Sequence, residues 1–296
     1  MASLAVIATG GTIACTTDAS GALVPTMNAE NLLHDLHISA RSIDSARLDS
    51  SSITLAELDE LLETVRQQLA EPDISGIVVT HGTDSMEETA FALDLFTSDD
   101  KPIILTGAQR AFDHPESDGP ANLSDALKLA SDPHNGGVFI RFGGTTVPAR
   151  GARKQHTSQL RAFVSTPLSS RPRPLDPVAL AGIDVPIIAA YPGSPRTLVD
   201  AAVANGAQGL VIEALGSGNM GSEMGQGVLD ALARGIPVVV STRVPEGEVA
   251  LAYGGSGGGA TLARAGAIGS GALRAGQARI ALIASIASGI SVSELL

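Results

Sequence analysis

Cysteine and basic residues are both scarce in this sequence. Its single cysteine, Cys15, excludes an intrachain disulfide framework and a zinc site built from several cysteines. Lysine and arginine number 19 against 31 aspartates and glutamates, which gives a formal net charge of -12. An acidic surface of this kind repels phosphate backbones and anionic membranes, so we expect no nucleic-acid partner.

Long hydrophobic runs are also missing. No apolar stretch approaches the roughly 18 residues that a membrane span requires. The first residues lack the basic segment of a secretory signal, and the run from Leu4 to Ala8 instead predicts a buried strand. The sequence therefore predicts a cytoplasmic protein that does not enter a membrane.

The composition that is present favours a compact α/β protein. Hydrophobic residues make up 44% of the 296 residues, and the 33 glycines suit many tight turns. Strand and helix patterns alternate, which predicts parallel sheets with right-handed crossovers. We predict two domains: a larger N-terminal domain, residues 1–168, with a mostly parallel sheet flanked by helices, and a smaller C-terminal α/β domain, residues 186–296. The proline-rich stretch 169–185 is predicted to be the linker.

Two further predictions concern one segment in each domain. The small polar stretch from Cys15 to Pro25 is typical of a mobile loop. The apolar run from Ile280 to Ala284 is interpreted as the last strand of the second domain.

Polar residues follow two of the predicted strands. The apolar run 77–79 stops at Thr80, and the segment from Thr80 to Asp84 carries two hydroxyls, an imidazole and a carboxylate. Glu87 and Glu88 follow in the first turn of a predicted helix, where carboxylates suit the helix dipole. Such strand-to-helix turns bind ligands in open α/β sheets, although a hydroxyl there can also serve only as a helix cap.

A second polar turn, 9–12, follows the first strand and ends at Thr12. A threonine hydroxyl is a weak nucleophile until another group accepts its proton, and a lysine held by a carboxylate can take part in that transfer. Thr12, Thr83, Asp84 and Lys154 can form such a set if the sheet brings the two turns together. Backbone amides of the glycine-containing turns can stabilise an oxyanion. The set requires no metal and no organic cofactor, and it fits attack on an amide carbonyl.

A rival motif lies in the C-terminal half. Residues 216–221 match G-x-G-x-x-G between a predicted strand and a predicted helix, which is the context of a dinucleotide site. The next strand ends at Thr242 without an acidic residue to hold a ribose, but Arg243 can meet a 2′-phosphate. An NADP-binding oxidoreductase is therefore an alternative hypothesis.

Two longer segments resemble the signature motifs of the bacterial-type L-asparaginase family, in its short, cytoplasmic-like form. They are Ala8-Thr9-Gly10-Gly11-Thr12-Ile13-Ala14 and Thr80-His81-Gly82-Thr83-Asp84-Ser85-Met86-Glu87-Glu88-Thr89-Ala90. The similarity extends through 106–110, 118–123, 216–219 and 241–245. The resemblance implies an amidohydrolase that converts asparagine, and often glutamine, to the acid and ammonia, and that assembles as a homotetramer.

The resemblance also implies roles for the residues that match. Thr12 matches the nucleophile that forms an acyl-enzyme, while Thr83, Lys154 and Asp84 match a second catalytic group. Asp84 also matches the residue that binds the α-amino group of the substrate.

Further matches concern substrate binding. Ser50 stands where the family binds the α-carboxylate, and Ala108 where a backbone carbonyl meets the substrate amide. Asn219 matches a position that reaches the site of a neighbouring subunit. Ser51 occupies a position where glutamine is common.

The chain departs from the family pattern in the mobile loop. Many members place a tyrosine there, but the tyrosines here are Tyr191 and Tyr253, and the aligned position is Ala22. Glu246 and Glu248 are both candidates for a glutamate that the family supplies from a neighbouring subunit.

The leading hypothesis is therefore an L-asparaginase. The missing tyrosine leaves an amino-acid-binding protein with a degenerate site as an alternative. A subunit that supplies ammonia for transfer-RNA amidation is a further alternative, which the acidic surface disfavours.

Overall fold

The computed structural model describes residues 3–36, 39–45, 49–98, 100–166, 168 and 171–296. The chain divides into two compact units, Met1–Ser165 with Arg173–Leu175, and Thr166–Pro172 with Asp176–Leu296. The predicted fold class is confirmed, since both units are α/β and the larger one is N-terminal. The predicted linker begins at residues 169 and 170, which lie outside the described residues, so its limits stay a prediction.

The first unit is built on one central sheet. Its strands are β1 (Ser3–Ala8), β4 (Arg41–Asp44), β5 (Ile74–Thr80), β6 (Pro102–Thr106), β7 (Gly137–Phe142) and β8 (Thr145–Pro148). Within the described residues their spatial order is β4-β1-β5-β6-β7-β8, and every neighbouring pair is parallel except β7 with β8. The central strands are rich in buried Ile and Val because both faces of such a sheet are covered.

Helices cover this sheet. They are α1 (Ala29–Leu36), α2 (Leu55–Ala70), α3 (Met86–Phe96) and α4 (Gly119–Ala130). The helix α2 begins at a capping box, in which the side chains of Thr54 and Glu57 each bind the backbone N–H of the other residue. The helix α3 is buried over most of its length, and it begins directly after the polar turn that follows β5.

The segment from Cys15 to Pro25 is a hairpin and not an irregular loop. Its strands β2 (Cys15–Thr17) and β3 (Leu23–Pro25) pair antiparallel. Asp18 orders the tip, because its Oδ1 accepts hydrogen bonds from the backbone N–H groups of Ser20 and Ala22. Asp113 holds the base, where its carboxylate accepts from the Thr17 N–H at 2.8 Å. Local hydrogen bonding of this kind leaves no apolar signature in the sequence.

A short ribbon completes the first unit. Its strands β9 (Ala152–Lys154) and β10 (Phe163–Ser165) pair antiparallel, with Lys154 opposite Phe163. The ribbon follows Arg150, whose guanidinium is 6% exposed and binds Asp94 at 3.1 Å. The same guanidinium lies 4.8 Å from the centre of the Phe91 ring. Arg150 therefore ties the approach to the ribbon to buried residues of α3.

The second unit has its own parallel sheet. Within the described residues its order is β11-β12-β13-β14, formed by Ile187–Ala189, Leu210–Ala214, Val238–Thr242 and Ile268–Gly269. Its helices are α5 (Thr197–Ala204), α6 (Ser222–Ala233), α7 (Gly259–Arg264), α8 (Ala275–Ser288) and α9 (Val292–Leu295).

The prediction of a last strand at Ile280–Ala284 is wrong, because these residues lie inside α8. All five are buried, so the helix is apolar on several faces and shows no helical periodicity. A short apolar run of this kind does not distinguish a buried strand from a buried helix. In the described part of the chain, no helix is long and apolar enough to cross a lipid bilayer.

Candidate active site

The two polar turns singled out in the sequence meet at the edge of the first sheet. The strands β1 and β5 are neighbours, and their last residues, Ala8 and Thr80, are partners in the register. The backbone N–H and the hydroxyl of Thr9 both donate to the carbonyl of Thr80, at 3.1 and 2.9 Å. Parallel strands that end level therefore carry their turns to the same place.

Glycine permits the close approach of these turns. A Cβ on Gly11 would lie 2.5 Å from the backbone nitrogen of Gly82, and Gly11 has a φ of +80°. Any side chain at position 11 would push the two turns apart and would also strain the backbone. Thr12 begins a short 3₁₀ helix, Thr12–Ala14, directly after this contact.

A cavity of about 370 Å³ lies between the two turns. Its lining combines backbone of the turns, polar side chains and two apolar residues of the hairpin: Gly10, Gly11, Thr12, Cys15, Leu23, Pro25, Asp49, Ser50, Gly82, Thr83 and Asp84. Thr12, Thr83, Asp84 and Ser50, which were predicted as site residues, thus share one cavity. Its volume is in the range of small-molecule sites.

The Lys154 side chain extends from the ribbon to Thr83 and Asp84. Its Nζ donates to the Thr83 hydroxyl at 2.7 Å and lies 3.3 Å from Oδ1 of Asp84. The Lys154 side chain is 20% exposed, whereas that of Asp84 is 62% exposed. Nζ of Lys154 is therefore held against Thr83 in a largely enclosed position, whereas the Asp84 side chain lies mostly in solvent.

Glu87 contacts Lys154 through the backbone. The carboxylate Oε2 of Glu87 accepts a hydrogen bond from the Lys154 N–H. Burial, together with the neighbouring Glu88, raises the pKa of Glu87 to about 8, and the charges of Arg153 and Lys154 oppose this rise. In the sequence Glu87 is marked only by its favourable place at a helix start, so the pattern gives no sign of this contact.

His81, in the turn between Thr80 and Thr83, is buried and does not line the cavity. Its Nδ1 lies 2.7 Å from the Gly82 carbonyl, and its Nε2 lies 3.1 Å from the Thr89 hydroxyl. Burial lowers the pKa of His81, which favours the neutral ring. A neutral ring that donates from Nδ1 and accepts at Nε2 satisfies both contacts, so His81 ties the turn to α3.

Ser50 packs directly against the second turn. Its hydroxyl accepts from the Asp84 N–H at 3.4 Å, and its carbonyl accepts from the Ser85 hydroxyl at 2.5 Å. A Cβ on Gly82 would lie 2.2 Å from the Ser50 hydroxyl oxygen. The absence of a side chain at position 82 therefore sets where Ser50 can sit.

Ser51 and Ala108 lie outside the cavity that Ser50 lines. Ser51 is exposed and turns to Asp49, whose Oδ1 accepts from its N–H and its hydroxyl, at 3.0 and 2.9 Å. Ala108 is 1% exposed and neither residue lines the cavity. Asp49 does line it, and the sequence offered no signal for this residue beyond its position before three serines.

The turn that contains Ala108 is fixed by two buried polar side chains. The Asp118 carboxylate accepts from the N–H groups of Gln109 and Arg110, at 3.1 and 2.9 Å. Asn122 donates to the Gly107 carbonyl and to Asp118, both at 3.0 Å. The stretch 118–122 therefore fixes the backbone of the turn 107–110, a contact that the residue pattern does not reveal.

Asn219, Glu246 and Glu248 belong to the second unit, and Ala22 is exposed on the hairpin. The Asn219 carbonyl accepts from Leu215, and its side-chain Oδ1 accepts from the Gly259 N–H at 3.3 Å. Both glutamates are exposed in the segment after β13. Their predicted roles remain predictions.

The G-x-G-x-x-G motif has a packing role. In a dinucleotide site the second glycine leaves room for the pyrophosphate. Here a Cβ on Gly218 would lie 2.6 Å from the Leu251 side chain and 2.9 Å from that of Val249. The space beside this glycine is filled by apolar side chains of the same chain, which does not fit a dinucleotide.

Comparison with known proteins identifies the family of this chain. The family model "Asparaginase, N-terminal" matches residues 3–171, and the model "Glutaminase/Asparaginase C-terminal domain" matches residues 184–295. A probable L-asparaginase of Deinococcus radiodurans is 36% identical, covering 99% of this chain and 95% of the relative. An L-asparaginase of Bacillus licheniformis is 32% identical, covering 90% of this chain and 89% of the relative.

Solved structures give the same result. The crystal structure of a probable cytoplasmic L-asparaginase from Campylobacter jejuni has a TM-score of 0.84 and 26% sequence identity, covering 100% of this chain and 98% of that one. With family models that match both halves and relatives similar over nearly the whole length, this chain belongs to the asparaginase family.

Proposed function

We propose that this protein hydrolyses L-asparagine to L-aspartate and ammonia, with Thr12 as the nucleophile. The observation that carries the proposal is the cavity in which Thr12 and Thr83 both take part, with Lys154 Nζ bound to the Thr83 hydroxyl at 2.7 Å. A nucleophilic hydroxyl and a hydrogen-bonded path for its proton are what amide hydrolysis without a metal requires. Membership of the asparaginase family supports the choice of substrate class.

The first chemical step forms an ester. The Thr12 oxygen attacks the side-chain amide carbon, and the carbon–nitrogen bond then breaks to release ammonia. The proton lost by Thr12 passes through the Thr83 hydroxyl to Nζ of Lys154, which acts in this step as an amine, and it returns by the same path to the departing nitrogen. Backbone amides of the two glycine turns line the cavity and serve as donors to the oxyanion.

The second step regenerates the enzyme. Water attacks the ester carbon, the bond to the Thr12 oxygen breaks, and the Thr83–Lys154 pair passes the proton of the water to that oxygen. Aspartate is the remaining product. The half of the Asp84 carboxylate that Lys154 does not contact suits the α-ammonium of the substrate, and Ser50 suits its α-carboxylate.

Assembly is a second part of the proposal. We infer a homotetramer that acts in the cytoplasm, in which Asn219 and one of Glu246 and Glu248 reach the cavity of a neighbouring subunit. The similarity to a probable cytoplasmic L-asparaginase supports the cytoplasmic location, and the resemblance of the sequence motifs to the family supports the assembly. An Ala22 that is exposed at the hairpin tip is also consistent with proton transfer that does not use a loop tyrosine.

The direct test measures ammonia and aspartate from purified protein given L-asparagine or L-glutamine. We expect equal amounts of ammonia and acid, and the two rates rank the substrates. Calorimetric binding of aspartate without any ammonia would instead establish an amino-acid-binding protein.

Substitution of Gly82 by alanine tests whether Ser50 binds the α-carboxylate of the substrate. The new Cβ would meet the Ser50 hydroxyl oxygen at 2.2 Å, so Ser50 must move away. Loss of one hydrogen bond to a charged carboxylate corresponds to about a 10-fold to 100-fold rise in KM for asparagine. Steady-state kinetics at several substrate concentrations measure this change.

Gly254→Ala is the matched control, because a Cβ at position 254 has no heavy atom within 4 Å. We expect its KM to equal that of the wild type. An unchanged KM in Gly82→Ala would show that Ser50 does not hold the substrate.

A further inference from the structure

The carboxylate of Glu87 contacts the backbone of Lys154, but the proposed reaction gives this contact no role. Glu87 lies in the first turn of α3, directly after the turn that carries Thr83 and Asp84. Its Oε2 accepts the hydrogen bond of the Lys154 backbone N–H. Lys154 is thus held at two points, its side chain by Thr83 and Asp84 and its backbone by Glu87.

The position of Lys154 in the ribbon shows why this second contact matters. Lys154 is the last residue of β9, and it is 71 positions distant in sequence from Thr83. The next residue, Gln155, donates its N–H across the ribbon to the Ala162 carbonyl at 2.8 Å, whereas the N–H of Lys154 is directed to α3. Glu87 therefore connects the end of the ribbon to the helix that follows the catalytic turn.

We propose that Glu87 is a positioning residue, which fixes the backbone of Lys154 so that Nζ stays within hydrogen-bond reach of the Thr83 hydroxyl. The inference rests on the proposed function, because it assigns Glu87 a role through Lys154. Both anchors of Lys154 come from one continuous turn and helix, 83–87. A shift of the ribbon relative to the sheet is therefore resisted at the point where the proton path depends on it.

The charged groups around Glu87 indicate that its oxygen acceptor matters more than its charge. Burial raises the pKa of Glu87 most and Glu88 raises it further, whereas the hydrogen bond from the Lys154 N–H and the charges of Arg153 and Lys154 lower it. With a pKa of about 8, much of Glu87 is neutral at pH 7, and the carbonyl oxygen of a neutral carboxyl still accepts a hydrogen bond. Glutamine offers the same acceptor at the same distance, so it is the conservative replacement.

The experiment compares Glu87→Leu with Glu87→Gln. Leucine removes the acceptor, and we expect kcat for asparagine to fall about 10-fold to 100-fold, as for a misplaced catalytic group. KM should stay within about twofold, because Ser50 and Asp84 still hold the substrate. Glutamine should restore kcat to within about threefold of the wild type. Glu60→Leu, the same change at an exposed position of α2, is the control and should leave kcat unchanged.

Amide hydrogen exchange gives a readout that does not depend on turnover. In the wild type and in Glu87→Gln the Lys154 N–H should be protected, whereas in Glu87→Leu it should exchange at least about 10-fold faster. If wild-type protein releases no ammonia, the proposed function fails, and the exchange data still decide whether Glu87 holds the Lys154 backbone.

Three results would overturn the inference: full kcat in Glu87→Leu, a kcat in Glu87→Gln as low as in Glu87→Leu, or equal protection of Lys154 in both variants. Should Glu87→Leu fail to fold, Glu87→Asp replaces it. Aspartate keeps the carboxyl but withdraws it by one methylene, so the same fall in kcat is expected.

Discussion

Ammonia release from asparagine is expected to fall by at least about 10⁴-fold when Thr12 is replaced by alanine. Removal of a nucleophile that forms a covalent intermediate costs this much or more in other hydrolases. Alanine keeps the Cβ and is compatible with the backbone of the 3₁₀ helix Thr12–Ala14, so we expect the fold to be retained. The loss should therefore appear in kcat, while aspartate still binds with its wild-type affinity in calorimetry.

Thr64→Ala is the matched control for this substitution. Thr64 is on the surface of α2, and its hydroxyl bonds only to the carbonyl of Glu60 among the described contacts. We expect full activity in this variant. Activity in Thr12→Ala within tenfold of the wild type would remove Thr12 as the nucleophile and direct attention to Thr83.

Replacement of Lys154 by methionine has the second largest expected effect. Methionine fills much of the same space but cannot donate to Thr83, so the proton path loses its terminal group. We expect kcat to fall about 10²-fold to 10⁴-fold, the usual contribution of a positioned acid or base. The measurement is steady-state ammonia release, with circular dichroism to show that the fold is retained.

The control for Lys154 is Lys128→Met, because the Lys128 side chain is 76% exposed and its partner Asp125 lies 3.7 Å away. A double variant, Lys154→Met with Thr83→Val, should be scarcely slower than either single variant, since groups that act as one unit are not additive. Additive losses would mean that Thr83 and Lys154 serve separate steps.

The two polar turns that line the cavity could be recognised from sequence because strands that are buried on both faces end abruptly at polar residues. The run 77–79 and the polar residues after it mark the carboxyl edge of the sheet, where parallel strands place their loops. The same reasoning failed at Ile280–Ala284, where a helix covered on several sides has the apolar composition of a strand.

Contacts between distant segments could not be read from residue patterns. Lys154 and Thr83 are 71 positions apart, and before the structure they were grouped only by the chemistry of their side chains and by the resemblance to a family. Glu87 was harder still, because a glutamate in the first turn of a helix already has an ordinary explanation in the helix dipole. When local structure already explains a residue's identity, the sequence gives no indication of a long-range contact.

The glycine contact between the two turns has a consequence for how this protein can change over evolutionary time. Since Gly11 meets the backbone of Gly82 with no side chain between them, the turns that carry Thr12 and Thr83 are held together through their backbones and not through the side chains that line the cavity. Mutation around the cavity can then alter which amide fits without disturbing the reacting groups. Leu23 and Pro25 of the hairpin are accordingly where laboratory selection for a new substrate has room to act.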